Sequence, residues 1–331
     1  MPQGSVVRGW RRDRQNMFDR VPVVCRGDRL GRADRAWEYS RGMIAELASR
    51  ALRRAARMTY RILPAGVCTR LACSRMGKRL VSRLAPVGLS VYPCDFGIRL
   101  RLTGEDATSS GVVHLGCMNP FETELLVKHL KPGDVFLDVG CFVDGWHSLV
   151  ASKLVGPGGR VYAFEPVPEY FRQFKDNLEL NGATNVVAEQ LAVSNFSGES
   201  TFRIEGTISR IVEPGSQTAG QETVTVRTTT LDDYAAAHDL SSVTMLKIDT
   251  EGAEPLVLEG ARSLLGRTKY LLIELVDHFI ERYGTTTEQV VRSLREQGFT
   301  PYAITRRGVV KCVDAIPKSE TVNVFFVRER E

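Results

Sequence analysis

The run VFLDVGCFVDGWHSLVA, residues 135–151, constrains the fold more than any other stretch. An apolar, strand-like segment carries Asp138, a turn with Gly140 and Gly145 follows, and the chain then takes up helical spacing. The same grammar repeats downstream. The apolar runs RVYAFE (160–165), NVVAEQLAV (185–193), VTMLKID (243–249) and YLLIELV (270–276) alternate with amphipathic stretches over 168–180, 229–238 and 254–265. Such alternation predicts a parallel sheet with helices on both faces. Ligands of such sheets gather beyond the carboxyl ends of the strands. NPFETELLVKHL (119–130) predicts a helix ahead of the first strand, with Asn119 as its cap before Pro120. Asn181-Gly182 predicts where the helix at 168–180 stops. GIRLRLT (97–103) alternates like a strand. ESTFRIEG and ETVTVRT read as a hairpin insert, and FTPYAIT (299–305) with TVNVFFVRE (321–329) as a closing antiparallel edge.

The first turn also limits what can be bound there. A dinucleotide turn needs G-x-G-x-x-G so that backbone can approach a pyrophosphate at the helix N-terminus. Here Phe142 and Val143 stand in the way, which weakens the reading as a dinucleotide oxidoreductase. A phosphate loop is absent too, since no GK[ST] follows. The turn suits a smaller, zwitterionic tail, such as the methionine end of S-adenosylmethionine. Glu165 ends the second strand, with Pro166 behind it, where a carboxylate can accept both hydroxyls of a ribose.

Charge divides the chain. Residues 1–85 hold 20 Lys/Arg against 6 Asp/Glu, whereas 86–331 hold 24 against 33. Residues 1–42 read as basic and disordered. Within 43–90, an Arg-rich helical extension, MIAELASRALRRAARMTYRI places Ile44, Leu47, Ala51, Leu52, Ala55, Met58 and Ile62 on one face and five arginines on the other. Such a helix can lie at a membrane surface or on a nucleic acid; its small, alanine-rich face favours docking on the body of the protein instead. Seven cysteines with no CxxC pair argue against a disulfide framework. No apolar run reaches the roughly 18–20 residues of a spanning helix. A soluble, cytoplasmic protein is expected.

The segments VFLDVG, YAFEPVPEYFRQFKDNLELNG, LAVSN, TLDDY, MLKIDTEGAEPLVLEGA and LLIEL, taken together, closely resemble the FkbM-type S-adenosylmethionine-dependent methyltransferases. LKIDTEGAE (246–254) is the most specific piece. The resemblance assigns 91–331 to a methyltransferase domain. It implies an α/β, class I (Rossmann-like) doubly wound fold with a mostly parallel seven-stranded sheet and an antiparallel edge. It also implies O-methylation of a hydroxyl on a sugar, glycolipid or natural product, with S-adenosyl-L-methionine as cofactor, a small-molecule or glycan acceptor, and no nucleic-acid partner. Asp138, Gly140, Gly145, Glu165 and Ala192 are then the cofactor-binding positions. The family's first loop usually reads D-V-G-A-N-x-G; here Cys141 and Phe142 replace Ala-Asn and one residue, Val143 or Asp144, is inserted before Gly145.

Methyl transfer needs the acceptor oxygen held on axis, with modest help from a base. Asp249 at the end of the fourth strand is the first candidate to orient or deprotonate it, with Glu251 beside it. His278, near the end of the fifth strand, is a further catalytic candidate. No metal is expected, although Asp249, Glu251 and Glu274 could together hold a divalent cation. Lys247 should pair with Asp249 or Glu274, since buried lysines are rarely left alone. His147 reads as a helix-surface residue, Glu254 as an acid favoured by a helix N-terminus, and Asp232 as a residue that caps or orders the helix following it. The alternative function is a catalytically impaired methyltransferase fold acting as a binding scaffold, held to a membrane or partner by its basic helix.

Overall fold

A computed structural model describes residues 91–102, 117–205, 208–211, 222–304, 310–312 and 322–329. The basic segment 1–42, the Arg-rich helix expected at 43–62 and the rest of 43–90 lie outside these residues, as does the end of the strand expected over 97–103. The described residues fall in two compact units, 91–99 with 117–118, and 100–102 with 119–329. Two short strands, β1 (Tyr92–Pro93) and β2 (Arg99–Leu100), flank a 3-10 turn over Asp95–Gly97.

The larger unit opens with α1 (Pro120–His129), β3 (Val135–Val139), α2 (Trp146–Val155), β4 (Arg160–Phe164), α3 (Pro168–Asn181) and β5 (Val186–Glu189). After β6 (Ala192–Val193), β7 (Gly198–Glu205), β8 (Ile208–Ile211) and β9 (Thr223–Thr229), the alternation resumes with α4 (Leu231–Ala237), β10 (Val243–Ile248), α5 (Glu254–Glu259), α6 (Arg262–Leu265) and β11 (Thr268–Leu275). The unit closes with α7 (Asp277–Ile280), α8 (Thr287–Glu296), β12 (Phe299–Ile304), β13 (Val310–Cys312) and β14 (Val322–Arg328).

The main sheet runs β5-β4-β3-β10-β11-β14-β12-β13. The first five strands are parallel. Strand β14 inserts antiparallel between β11 and β12. Seven strands thus form the expected parallel sheet with its antiparallel edge, the class I methyltransferase arrangement, and the short β13 adds an eighth at the rim. The order reverses between β3 and β10, so the carboxyl ends of those strands form the crevice where such sheets place ligands. Central strands read as continuous apolar runs because both faces are covered. On one face Leu137, Val139, Phe164, Leu246, Ile248 and Ile273 join Tyr234, Val257, Leu264 and Leu294 in a single buried cluster. On the other, α2 packs on β3 and β4.

Four local expectations change. The strand expected over 185–193 breaks at Gln190–Leu191, and β6 leaves the main sheet to pair with β9 in a small four-stranded sheet with β7 and β8. The helix expected over 254–265 breaks at Gly260–Ala261, and Gly260 passes so close to the Ser194 carbonyl oxygen that a Cβ would come within 2.1 Å of it. Asn119 precedes α1 in the left-handed region with no side-chain cap on the helix; its amide binds Glu122 instead, at 3.2 Å. Asp232 does not cap its own helix, a role taken by Thr230. Its carboxylate accepts the Ser263 and Leu264 amides at 2.9 and 2.7 Å and so caps α6. The end of α3 is as expected, with Gly182 at φ +58°.

Candidate active site

Register explains why the polar residues converge. Asp138 on β3 lies opposite Lys247 on β10, and Glu274 on β11 lies opposite Asn323 on β14. Side chains alternate along a strand, so Asp138, Lys247, Asp249, Glu274 and Asn323 share one face near the carboxyl rim. Asp138 is 0% exposed. Its Oδ2 accepts the Ser148 hydroxyl at 2.7 Å, and its Oδ1 lies 3.4 Å from the Lys247 ammonium. The same ammonium lies 3.2 Å from Asp249 Oδ2 and donates to the Gly140 carbonyl at 3.4 Å. Burial alone would lower the affinity of Lys247 for its proton, but Asp249 and Asp138 outweigh it and the group stays charged. The partners of Lys247 are therefore Asp249 and Asp138. Among the described residues it makes no ion pair with Glu274, the other partner expected.

Asp249 has a side chain about 30% exposed. Burial pushes its carboxyl up, but the Lys247 charge and a hydrogen bond from Glu274 bring it below the usual carboxylate range. Glu274 moves the other way. Burial, then the Asp249 charge, push it up to about 9, so the proton of the pair sits on Glu274 at neutral pH. Glu251 follows at φ +55°, and one carboxylate oxygen from each of Asp249, Glu251 and Glu274 lies within 4.8 Å of the others. Glu254 serves this turn. Its Oε1 accepts the Thr250 amide at 2.8 Å, the Thr250 hydroxyl at 3.0 Å and the Gly252 amide at 3.2 Å. Burial pushes it up to about 7 against those bonds.

The lengthened first loop is pinned along its length. Gly140 has φ +83°, and a Cβ there would stand 1.8 Å from the Asp249 carbonyl oxygen, so no side chain fits where the loop crosses the end of β10. Phe142 adopts φ +56° in a position that favours glycine. Its amide donates to Glu165 Oε2 at 3.1 Å, and its half-buried ring meets Tyr170 edge-on at 5.1 Å. The Val143 carbonyl accepts the Asn177 amide at 2.9 Å, and Asp144 caps the start of α2 through the Trp146 amide at 2.8 Å. Gly145, φ +55°, packs so closely on the Phe174 ring that a Cβ would approach it to 2.2 Å. Glu165 itself is 4% exposed, with Oε1 accepting the Val167 amide at 2.9 Å. Burial lifts it to about 7 despite the two amides.

Of the residues expected in the site, Asp138, Gly140, Asp249 and Glu251 meet at the β3/β10/β11 rim, and Gly145 and Glu165 border it on the β4 side. Two are placed elsewhere. Ala192 is buried in the small sheet with Phe202 and Val226. His278 is exposed on α7, its ring against Phe279. His147 is not on the surface; it is buried, with Nε2 2.9 Å from Glu122 Oε2. Glu122 was not anticipated. It draws Asn323 to its Oε1 at 2.6 Å as well, across 201 residues of sequence, a link no local pattern could signal.

A central parallel sheet with a reversed antiparallel strand, a glycine turn after its first strand and an acid after its second define a class I methyltransferase domain. A model of the methyltransferase FkbM domain matches residues 134–301, half of the chain, and the protein belongs to that family. It is similar to the hexuronic acid methyltransferase AglP of Haloferax volcanii, 27% identical over 152 residues, covering 46% of this chain and 59% of the relative. It is also similar to the 31-O-demethyl-FK506 methyltransferase FkbM of Streptomyces tacrolimicus, 29% identical over 204 residues, covering 53% of this chain and 75% of that one. The 2-O-methyltransferase NoeI of Sinorhizobium fredii is 25% identical over 165 residues, with 44% and 65% covered. These matches give no support to the scaffold alternative. Among the described residues no helix is long and apolar enough to cross a membrane.

Proposed function

We propose that the protein is an S-adenosylmethionine-dependent O-methyltransferase acting on a hydroxyl of a sugar, glycolipid or natural product. The observation that carries this reading is the carboxylate of Asp249, held between the Lys247 ammonium and Glu274 directly beside the Gly140 turn. The residues present fit the methyl donor. Asp138 Oδ1 is buried against the Lys247 ammonium, 3.4 Å away, so the charge beneath the Gly140 turn is already matched. Each Glu165 oxygen accepts one amide and keeps a lone pair for a ribose hydroxyl. The side-chain-free Gly140 leaves backbone open to close approach.

When bound, S-adenosylmethionine supplies an electrophilic methyl group. Asp249 accepts a hydrogen bond from the acceptor hydroxyl, orients its oxygen and takes up its proton as the oxygen is methylated. With its own pKa held below the carboxylate range, Asp249 works mainly by alignment, the larger part of what such a transfer needs. Lys247 and Glu274 fix the carboxylate in place. The relatives named for hexuronic acid, FK506 and 2-O-methylation favour a hydroxyl acceptor. Transfer of a labelled methyl group from the donor to a panel of hydroxylated metabolites and glycans tests the reading. Wild type should label at least one acceptor. Asp249→Asn should lose that labelling while S-adenosylhomocysteine binding persists; loss of both together would remove Asp249 from the chemistry.

A further inference from the structure

A cleft of about 530 Å³ lies outside the candidate site, between the end of β5, the start of β7, β9 and α4. Its volume is in the range of small-molecule sites. Glu189 stands on one wall, with Oε1 taking the Tyr234 hydroxyl at 2.9 Å. Arg227 stands on another, exposed, and makes no ion pair among the described residues. The His238 ring stacks on Tyr234 with centroids 4.1 Å apart and a 25° tilt. Asp233 adds a second carboxylate to the lining, its Oδ2 accepting the Ser197 hydroxyl. The cleft therefore offers a guanidinium with no ion pair among the described residues and two carboxylates, Glu189 and Asp233, that can accept further hydrogen bonds.

We propose that this cleft binds an acidic sugar unit of the acceptor, with the sugar carboxylate on Arg227 and ring hydroxyls on Glu189. A sugar acid matches each element. A guanidinium fork recognises a carboxylate through two parallel hydrogen bonds. Carboxylates such as Glu189 and Asp233 accept from ring hydroxyls. The inference rests on the reading of the protein as a methyltransferase of hydroxylated acceptors and narrows the acceptor to a uronate-bearing saccharide. Strands β5 and β10 are three steps apart in the sheet. At roughly 4.8 Å a step, the cleft stands about 14 Å from the Asp249 strand. Glu189 pairs with Phe164 and shares the sheet face that α4 covers, opposite the face carrying Asp249, so the unit held there is remote from the methylated hydroxyl.

Saturation-transfer NMR and titration with methyl glycosides of glucuronic, galacturonic and mannuronic acid, each beside its neutral glycoside, test the proposal on the full chain. At least one uronate should bind wild type better than its neutral counterpart. Arg227→Ala should weaken that binding roughly tenfold, the loss of one charge-assisted contact. Glu189→Gln, which keeps an acceptor for Tyr234, should weaken uronate and neutral glycoside alike. Binding of S-adenosylhomocysteine, measured on the same samples, should be unchanged in both variants. If none of the three uronates binds, or Arg227→Ala binds them as wild type does, the cleft is not a uronate site, and intact S-adenosylhomocysteine binding would leave the methyltransferase reading standing. If S-adenosylhomocysteine fails to bind wild type, that reading falls, while the Arg227 dependence still decides the cleft.

Discussion

Replacing Lys247 by Met keeps most of the side-chain volume and removes the cation between two carboxylates. Asp138 is then left with no solvent access and one hydrogen bond, from Ser148. Removing one partner of a buried ion pair costs about 3–5 kcal/mol, because the remaining charge is uncompensated. Lys247→Met should therefore lose about 3–5 kcal/mol relative to wild type. Urea unfolding followed by tryptophan fluorescence reads this, since Trp146 is buried beside the site. Adding Asp138→Asn should recover about 1 kcal/mol or more at pH 8, as coupled neighbours do. A loss below about 1 kcal/mol, or no recovery on adding Asp138→Asn, would refute the view that Lys247 neutralises a dry carboxylate.

Three further outcomes follow from the same geometry. Turnover should fall as pH rises through about 9, where Glu274 ionises, loses its hydrogen bond to Asp249 and faces it as a second negative charge; Glu274→Gln, which keeps a neutral donor, should retain activity and lack this alkaline limb in its pH–rate profile. Glu165, lifted to about 7, must be ionised to accept fully from a ribose, so S-adenosylhomocysteine should bind more tightly at pH 8 than at pH 6, and calorimetry on Glu165→Gln should show weaker binding without that pH dependence. Arg328 donates to the carbonyls of Thr268, Gln297 and Leu265 at 3.1, 2.8 and 2.6 Å; Arg328→Ala should cost about 2–3 kcal/mol in urea unfolding while leaving ligand binding unchanged.

The repeating part of the fold was legible because a period of two followed by one of 3.6 leaves a mark on every strand–helix unit. Asp249, Gly140 and Glu165 could be placed because each ends a strand of that repeat, and strand ends converge at the crevice. The failures share a cause. Gly260 meets Ser194 from a distant segment, and Ala192 pairs with β9 rather than with the main sheet. His147 could pass for a surface residue while α1 was not known to cover it. Glu122 carries no local motif; its partners Asn323 and His147 come from β14 and α2. The insertion in the first loop was visible as a length change, whereas its accommodation depends on the left-handed backbone at Phe142 and on Asn177 from α3.

Isothermal titration of the full chain with S-adenosylhomocysteine tests most directly whether the Gly140 turn and Glu165 form a methyl-donor site. The account predicts saturable binding at one site per chain, weakened at least about tenfold by Glu165→Ala, or ~1.4 kcal/mol, and abolished by Gly140→Val, whose side chain would collide with the Asp249 backbone. Absence of heat and of any thermal shift with both S-adenosylhomocysteine and S-adenosylmethionine, in wild-type protein shown to be folded, would contradict it.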